Sequence, residues 1–403
     1  QLIESSLSGD GRDVSVSGFS GALSSTAQLD RLTISDRDGV WLILEDAQLD
    51  WTRSALLRGA LEVETLRAAR LEILRAPIPQ KGLDLPQAEA TPFTFPDLPV
   101  SIRIGSLAID RMTLGTPLLG EAVVLGLEGG AFLDETRANV ALSLQRFDAG
   151  GQFNATLDYD DAAQSIALDL SFQEPDGGLV SRLLNIPGAP SLSLTVQGEG
   201  PLADLTTDIR LRTNNQDRLA GTVILTGTQD AGHGFNANFS GDVTALFAPQ
   251  YSAFFGPDVG LSARGTRDAS GALSLSRLRL DARAVSLGGR IDLNPSGWPT
   301  RLNIRGRIAD ADTNGKPVLL PLPGIDTRID TADFLVTFDA AQGDAIVARA
   351  SVSGLQREDM SADRILVGFD GNISDPQQNP ETAAAWMRGK LSAGASGLDL
   401  GAS

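Results

Sequence analysis

The chain reads as all-β: a long, curved, mainly antiparallel sheet of repeating strands, U-shaped in section and forming a groove, with a few short helices. Three observations predict this. Apolar residues recur at every second position in short runs, the period of a strand with one face turned from water. Gly, Asn, Asp and Ser punctuate those runs at roughly eight-to-twelve-residue intervals, as in an all-β chain. No long stretch carries the 3.6-residue period of an amphipathic helix that could cover so many one-sided strands.

Residues 1–76 form a first segment, in which Val14 and Val16, then Ala27 and Leu29, then Ile34 open the alternation. Residues 39–77 organise it. Val40, Leu42 and Leu44 alternate with Trp41, Ile43 and Glu45, after which Glu45 and Asp46 shift the phase so that Ala47, Leu49 and Trp51 take over the apolar face. A bulged strand is expected there. Residues 52–58 read as a short helical turn, capped by Thr52 and ended by Gly59. Leu61 and Val63, then Leu71 and Ile73 after a second kink, resume the two-residue period.

Residues 77–99 are rich in proline and lack periodicity, so they read as a loop or lid at a boundary. Residues 100–243 return to strands: Ile102 and Ile104, Leu107 and Ile109, Met112 and Leu114, Val123 to Leu127, and Val140, Leu142 and Leu144. Phe153, Ala155 and Leu157 are expected to pair with Ile166, Leu168 and Leu170 across an acidic turn at Asp158 to Asp161. A short helix is expected over 179–186, stopped by Pro187 and Gly188.

Runs through Leu194 and Val223 then begin a coarse repeat of alternating residues and Gly-polar turns, the mark of one unit added again and again. Residues 244–256 interrupt it with a helical segment holding Phe247, Tyr251, Phe254 and Phe255, read as a plug or cap on the sheet. Residues 257–403 continue the repeat through Leu275, Ile304 and Val336, with a last short helix expected over 382–390. About 25 strands result, at the usual strand spacing.

Composition narrows the function. A net charge of −18 argues against nucleic acid and against adhesion to anionic headgroups. With no cysteine, thiol catalysis, disulfides and Cys-ligated metals are out, and a single histidine, His233, rules out zinc sites built on several. His233 lies between glycines and reads as an exposed loop residue. Asp310, Asp312, Asn314 and Gly315 match the first half of a calcium loop, but Lys316 and Pro317 break the pattern and Pro321 stands where a bidentate Glu belongs. Asp158, Asp160 and Asp161 read as a solvated hairpin tip. No Walker loop occurs, and Gly198 opens a run whose proline breaks any nucleotide-binding turn. Trp41 and Trp51 stand in strand context and read as wall or core. The expectation is a non-enzyme without cofactor or metal. No window is apolar enough to span a bilayer as a helix, and the chain reads as a fragment of something longer.

A sheet with an apolar face and no helices to cover it must form a sandwich, fill its own interior as a solenoid, or hold something that is not protein. Gly18-Phe19-Ser20-Gly21, Asp38-Gly39-Val40-Trp41, Leu49-Asp50-Trp51, Ala55-Leu56-Leu57-Arg58-Gly59 and Arg75-Ala76-Pro77 bear on the choice. In their order and spacing over some sixty residues they resemble the N-terminal periplasmic part of the TamB family. That AsmA-like family is the inner-membrane-anchored part of the translocation and assembly module. The remaining residues match only in style.

The resemblance implies a hydrophobic β-groove in the periplasm of a Gram-negative bacterium. It also implies phospholipid transport, support of outer-membrane protein assembly, an inner-membrane anchor preceding this segment and a TamA-like outer-membrane barrel met by a region following it. Phospholipid acyl chains are the expected ligand, and strand addition at the sheet edge is a second expected activity. The wall residues expected from the alternation are Leu42, Leu44, Leu61, Val63, Ile102, Ile104, Leu142, Leu168, Leu194, Val223, Leu275, Ile304 and Val336. The alternatives are a β-solenoid surface or adhesin-like protein with a packed interior and, behind it, a polysaccharide-cleaving β-helix enzyme.

Overall fold

The computed structural model describes residues 13–21, 25–78, 101–228, 232–310, 317–322, 324–374 and 387–400. The expected fold class holds: an open, all-β, mainly antiparallel sheet with few short helices, 67% strand and 8% helical. The helices among the described residues are too short and few to form a second layer on the strands. The chain forms two compact units, Gln1–Ser181 with Ser191–Pro201, and Arg182–Pro190 with Leu202–Ser403.

The first unit holds β1 (Asp13–Ser17), β2 (Ser20–Gly21), β3 (Thr26–Asp36), β4 (Gly39–Trp51), β5 (Ala60–Ile73), β6 (Ser101–Leu114), β7 (Val123–Leu133), β8 (Arg137–Arg146), β9 (Gln152–Asp160), β10 (Ser165–Glu174) and β11 (Leu192–Pro201). From β3 onward each strand pairs with the next in sequence, and β1 and β2 both pair with β3. Every pair is antiparallel except β5 with β6. A parallel pair needs a crossover rather than a hairpin. The proline-rich stretch lies between these two strands in the sequence; its residues 79–99 are outside the described residues.

The phase shift expected at Glu45 and Asp46 is present, and it is not confined to one strand. Asp46 takes φ +50°. At the same level Asp30, Asp46, Ala69 and Asp110 all drop out of the ladder, between Leu29 and Arg31, Glu45 and Ala47, Ala68 and Arg70, and Ile109 and Arg111. Four neighbouring strands therefore kink together, and the apolar residues before and after the kink stay on one face. The turn after β4 is a 3-10 helix, Arg53–Arg58, ended by Gly59 at φ 69°. Thr52 precedes it in extended conformation without a side-chain cap bond, so the expected cap is not made. Arg75, from the resemblance motif, ties the end of β5 to the β3–β4 turn through Asp36 and the Gly39 carbonyl.

The second unit holds β12 (Asp204–Thr213), β13 (Gln216–Thr228), β14 (Gly232–Gly241), β15 (Val259–Arg267), β16 (Leu273–Asp281), β17 (Val285–Leu293), β18 (Pro299–Ala309), β19 (Val318–Leu319), β20 (Arg328–Ile329), β21 (Thr331–Asp339), β22 (Ala345–Gln356), β23 (Ser361–Ile373) and β24 (Met387–Ser396). Each long strand pairs antiparallel with the next, β18 pairing with β21 past the small β19–β20 hairpin. Stacked coils of a solenoid would pair equivalent strands in parallel, so this ladder is not that of a solenoid.

Three expectations are corrected. The helix expected over 179–186 is shorter, Leu179–Leu183; the Glu174 carboxylate accepts the Val180 and Ser181 amides there, at 2.9 and 2.7 Å. Of the helix expected over 382–390, residues 382–386 lie outside the described residues and Met387 to Lys390 are strand, paired with Ile373 to Asp370. His233 is exposed but sits in β14 opposite Gly227 and Arg267, not in a loop.

Candidate functional site: a partly exposed apolar face

Directly opposed residues in a ladder share one face of the sheet. In the first unit one row runs Leu32, Leu44, Leu71, Met112, Leu125 from β3 to β7, and the next Leu49, Leu66, Leu107, Gly129, Leu142, Ala155, Leu170, Val196 from β4 to β11, skipping no strand. In the second, Val223, Ala237, Ala263, Leu278, Gly289, Ile304, Val336, Ala348, Phe369 and Leu391 make one row from β13 to β24. The intervening residues point the other way and include many polar ones: Ser143 donates to Asn154 at 2.9 Å, and Gln197 donates to Asp169 across β10 and β11. Apolar residues such as Phe132, Leu335 and Leu366 stand among them.

In each unit the register puts the expected wall residues of that unit on the side of its apolar rows. In the first unit Leu42 and Leu44 stand beside Ile73 and Leu71, Leu61 and Val63 beside Ile102 and Ile104, Leu142 beside Ala155, Leu168 beside Leu157, and Leu194 beside Phe172. In the second, Val223 stands beside Ala237, Leu275 beside Ile291, and Ile304 beside Val336. Trp51 lies on the same face, opposite Val63.

Burial separates a covered face from an open one. Val63 is buried at 8%; the other twelve are partly exposed. Among the described residues 21 apolar side chains are buried, eight of them alanines shaded by larger neighbours and only two of them leucines, Leu192 and Leu205. A sandwich would bury its leucines first. Leu66 and Leu261, inside the rows, remain 36% and 37% exposed.

The face is bounded at its ends. Across β8 it runs from Ala138 to Leu144, seven residues and so six rises of ~3.3 Å, or about 20 Å. At one end Tyr159, 6% exposed and opposite Ala138, donates its hydroxyl to Asp161 at 2.8 Å. Burial and then the Asp161 carboxylate push its hydroxyl up to about 12. At the other end Arg146 donates to Glu121 and Asp148 at 2.9 and 2.8 Å. Arg146 holds the Asp148 carboxyl down at about 2, helped by the Val124 amide.

In the second unit the end row Val285, Ile308, Ala332 and Val352 is closed by Phe254, Phe255 and the β19–β20 residues Val318 and Ile329. Residues 244–256 form three short turns, Thr244–Leu246, Pro249–Tyr251 and Ser252–Phe255.

Glycines within the strands are the feature that sequence reasoning missed. Gly221, Gly265 and Gly306 stand directly opposite Phe239, Phe235 and Phe334. A Cβ built on any of the three would run into that phenylalanine ring. The rings thus lie over bare backbone and lower the wall at intervals, as aromatic side chains do beside strand glycines. The signal was available: a glycine inside an alternating run, with phenylalanine at the matching level of the next.

The remaining candidates carry no chemistry. Asp158 accepts from Asn139, Asp160 caps the Ala163 amide and Asp161 serves Tyr159 and Gln164. Asp310 pairs with Arg283 at 3.3 Å, and 311–316 lie outside the described residues. Among the described residues no group of three or more His, Cys, Asp or Glu is placed to hold a metal ion, and no helix is long and apolar enough to cross a membrane. No family model, no curated protein and no solved structure matches the chain. The likeness to the TamB family therefore rests on the residues quoted for it.

Proposed function

We propose that this chain is the periplasmic part of a TamB-like protein and that its apolar face carries or shields phospholipid acyl chains between inner and outer membrane. The observation that supports this reading is the run of partly exposed Leu, Val and Ile rows crossing strand after strand with no second layer upon them among the described residues. An acyl chain gains ~0.8 kcal/mol for each methylene taken from water, so a chain of sixteen carbons gains on the order of 10 kcal/mol. A strip ~20 Å wide, six rises of ~3.3 Å, matches the length of such a chain. Movement from one row to the next exchanges one aliphatic neighbour for another, so the gain on entering does not become a barrier to sliding.

The polar ends would keep headgroups in water while tails lie on the wall. Support of outer-membrane protein assembly through a TamA-like barrel, and an anchor in the inner membrane, belong to the same proposal on the strength of the resemblance. Native mass spectrometry of the chain extracted from a Gram-negative host under mild conditions tests it. Adducts of phospholipid mass that survive gentle activation are expected, and a chain free of lipid would overturn the reading.

A further inference from the structure

The polar face of the second unit carries a local charge opposite to that of the whole protein. Arg264 stands directly opposite Arg277, and a bulge between Leu275 and Leu278 sets Ser276 and Arg277 together against Arg290. One row further along, Arg279 and Arg305 flank Gly288 on its two sides. Like charges directly opposed across a ladder destabilise it, and this sheet opposes them on adjacent strands.

Two of the five are answered locally, Arg279 by Asp281 and Arg290 by Asp292, the latter at 3.0 Å. Arg264, Arg277 and Arg305 have no ion pair and no side-chain hydrogen bond among the described residues. Five guanidinium groups less two carboxylates leave +3 on this patch, in a chain of net −18. Arg277, Arg279, Arg290 and Arg305 wall a depression of about 590 Å³ floored by Gly288, with Ser276 at its side. At Gly288 an added Cβ would come no nearer than 3.3 Å to the Leu278 carbonyl, so the floor is open for want of a side chain.

We propose that this depression binds a phosphate-bearing ligand. Guanidinium forks match the paired oxygens of a phosphate and hold them by charge-assisted hydrogen bonds, which a sheet surface of lysines would not do with the same geometry. Bulges commonly re-aim side chains at such places, and this one brings Ser276 and Arg277 to the rim. The remaining negative charge of the chain repels an extended anionic surface but is screened beyond about 8–10 Å. The site therefore selects a compact dianion that enters the depression, either a soluble phosphate compound or one headgroup presented singly. It stands on the face opposite the apolar rows and does not depend on what they bind.

The test titrates the intact chain with inorganic pyrophosphate by calorimetry. Sedimentation with phosphatidylcholine vesicles, with and without phosphatidic acid, runs in parallel. Pyrophosphate binding that weakens with salt is expected, with Kd raised at least about tenfold, or 1.4 kcal/mol, in the Arg277→Ser/Arg305→Ser double variant. Arg307→Ser, on the same face but paired with Asp333, should change it less than about threefold. Arg305→Gln alone gives an intermediate loss and guards against misfolding of the double variant. Sedimentation with phosphatidic acid vesicles that the double variant abolishes identifies a headgroup as the source; binding of pyrophosphate alone identifies a soluble one. No binding of either probe, or equal losses in the Arg307 and Arg277/Arg305 variants, overturns the proposal.

Discussion

Replacing Ile304 with Asp separates an open wall from a packed core. Ile304 lies mid-row in β18, between Gly289 and Val336, and is only partly buried. Full burial of an isoleucine is worth ~1.5–3 kcal/mol, so the larger part of that, ~1–2 kcal/mol, is what its present contacts can lose. Strand preference adds up to ~1 kcal/mol. The carboxylate itself keeps water on the open side and costs little more. The expected destabilisation is therefore ~2–3 kcal/mol, read as a fall in the urea midpoint of the chain without a change in slope. In a filled interior the same carboxylate would be stranded without a partner, and its desolvation would add to this loss and carry it past ~4 kcal/mol. Lipid retention should fall far more than stability, because one charge interrupts the row on which a tail lies. A loss of stability above ~4 kcal/mol would refute the reasoning, since only a packed environment imposes a penalty of that kind.

Two further outcomes follow from the geometry. Gly289→Ala places a Cβ against the Asn303 carbonyl and the Ile304 backbone, so it should destabilise by ~1–3 kcal/mol where an unhindered strand glycine would gain ~0.5–1 kcal/mol; thermal melts of the two single-residue forms check the sign. Asp148 carries a carboxyl lowered from 3.8 to about 2 by Arg146, so its contribution is complete above the ordinary carboxylate value and is lost as the pH falls from about 4 through about 2. Asp148→Asn should lower the melting temperature at pH 7 and flatten the acid limb of stability within that window.

Much of the fold was legible because a strand period of two leaves a mark in every residue. Leu42, Leu44, Leu168 and Ile304 could each be assigned to the apolar face of its own strand before any partner was known, and the phase change at Glu45 and Asp46 announced a kink. That three further strands kink at the same level was not legible, since Asp30, Ala69 and Asp110 belong to different runs and only the register aligns them. The parallel pairing of β5 with β6 was hidden for a similar reason: direction is set by the connection, and its residues carry no period. Of residues 382–390 the described part, Met387 to Lys390, runs against the expected helix: Met387, Gly389 and Leu391 alternate and pair with Ile373, Gly371 and Phe369, so pairing with a neighbouring strand decides their conformation.

Of the wall, the residue positions were legible and its boundaries were not. Tyr159 and Arg146 read as ordinary strand residues until their neighbours in space, Asp161, Glu121 and Asp148, gave them a role at the ends of the strip. Glycines were taken for turns because most of them are; Gly221, Gly265 and Gly306 differ in facing phenylalanines on another strand, which sequence order alone does not display.

A photo-activatable residue placed at Leu168, and in a second protein at Asp169, tests the central claim most directly. The two are adjacent in β10 and point to opposite faces, Leu168 toward Leu157 and Asp169 toward Thr156 and Gln197. In cells the Leu168 position should capture phospholipid and the Asp169 position should not. Equal capture at both, or none at Leu168, would contradict an acyl-chain path along the apolar face.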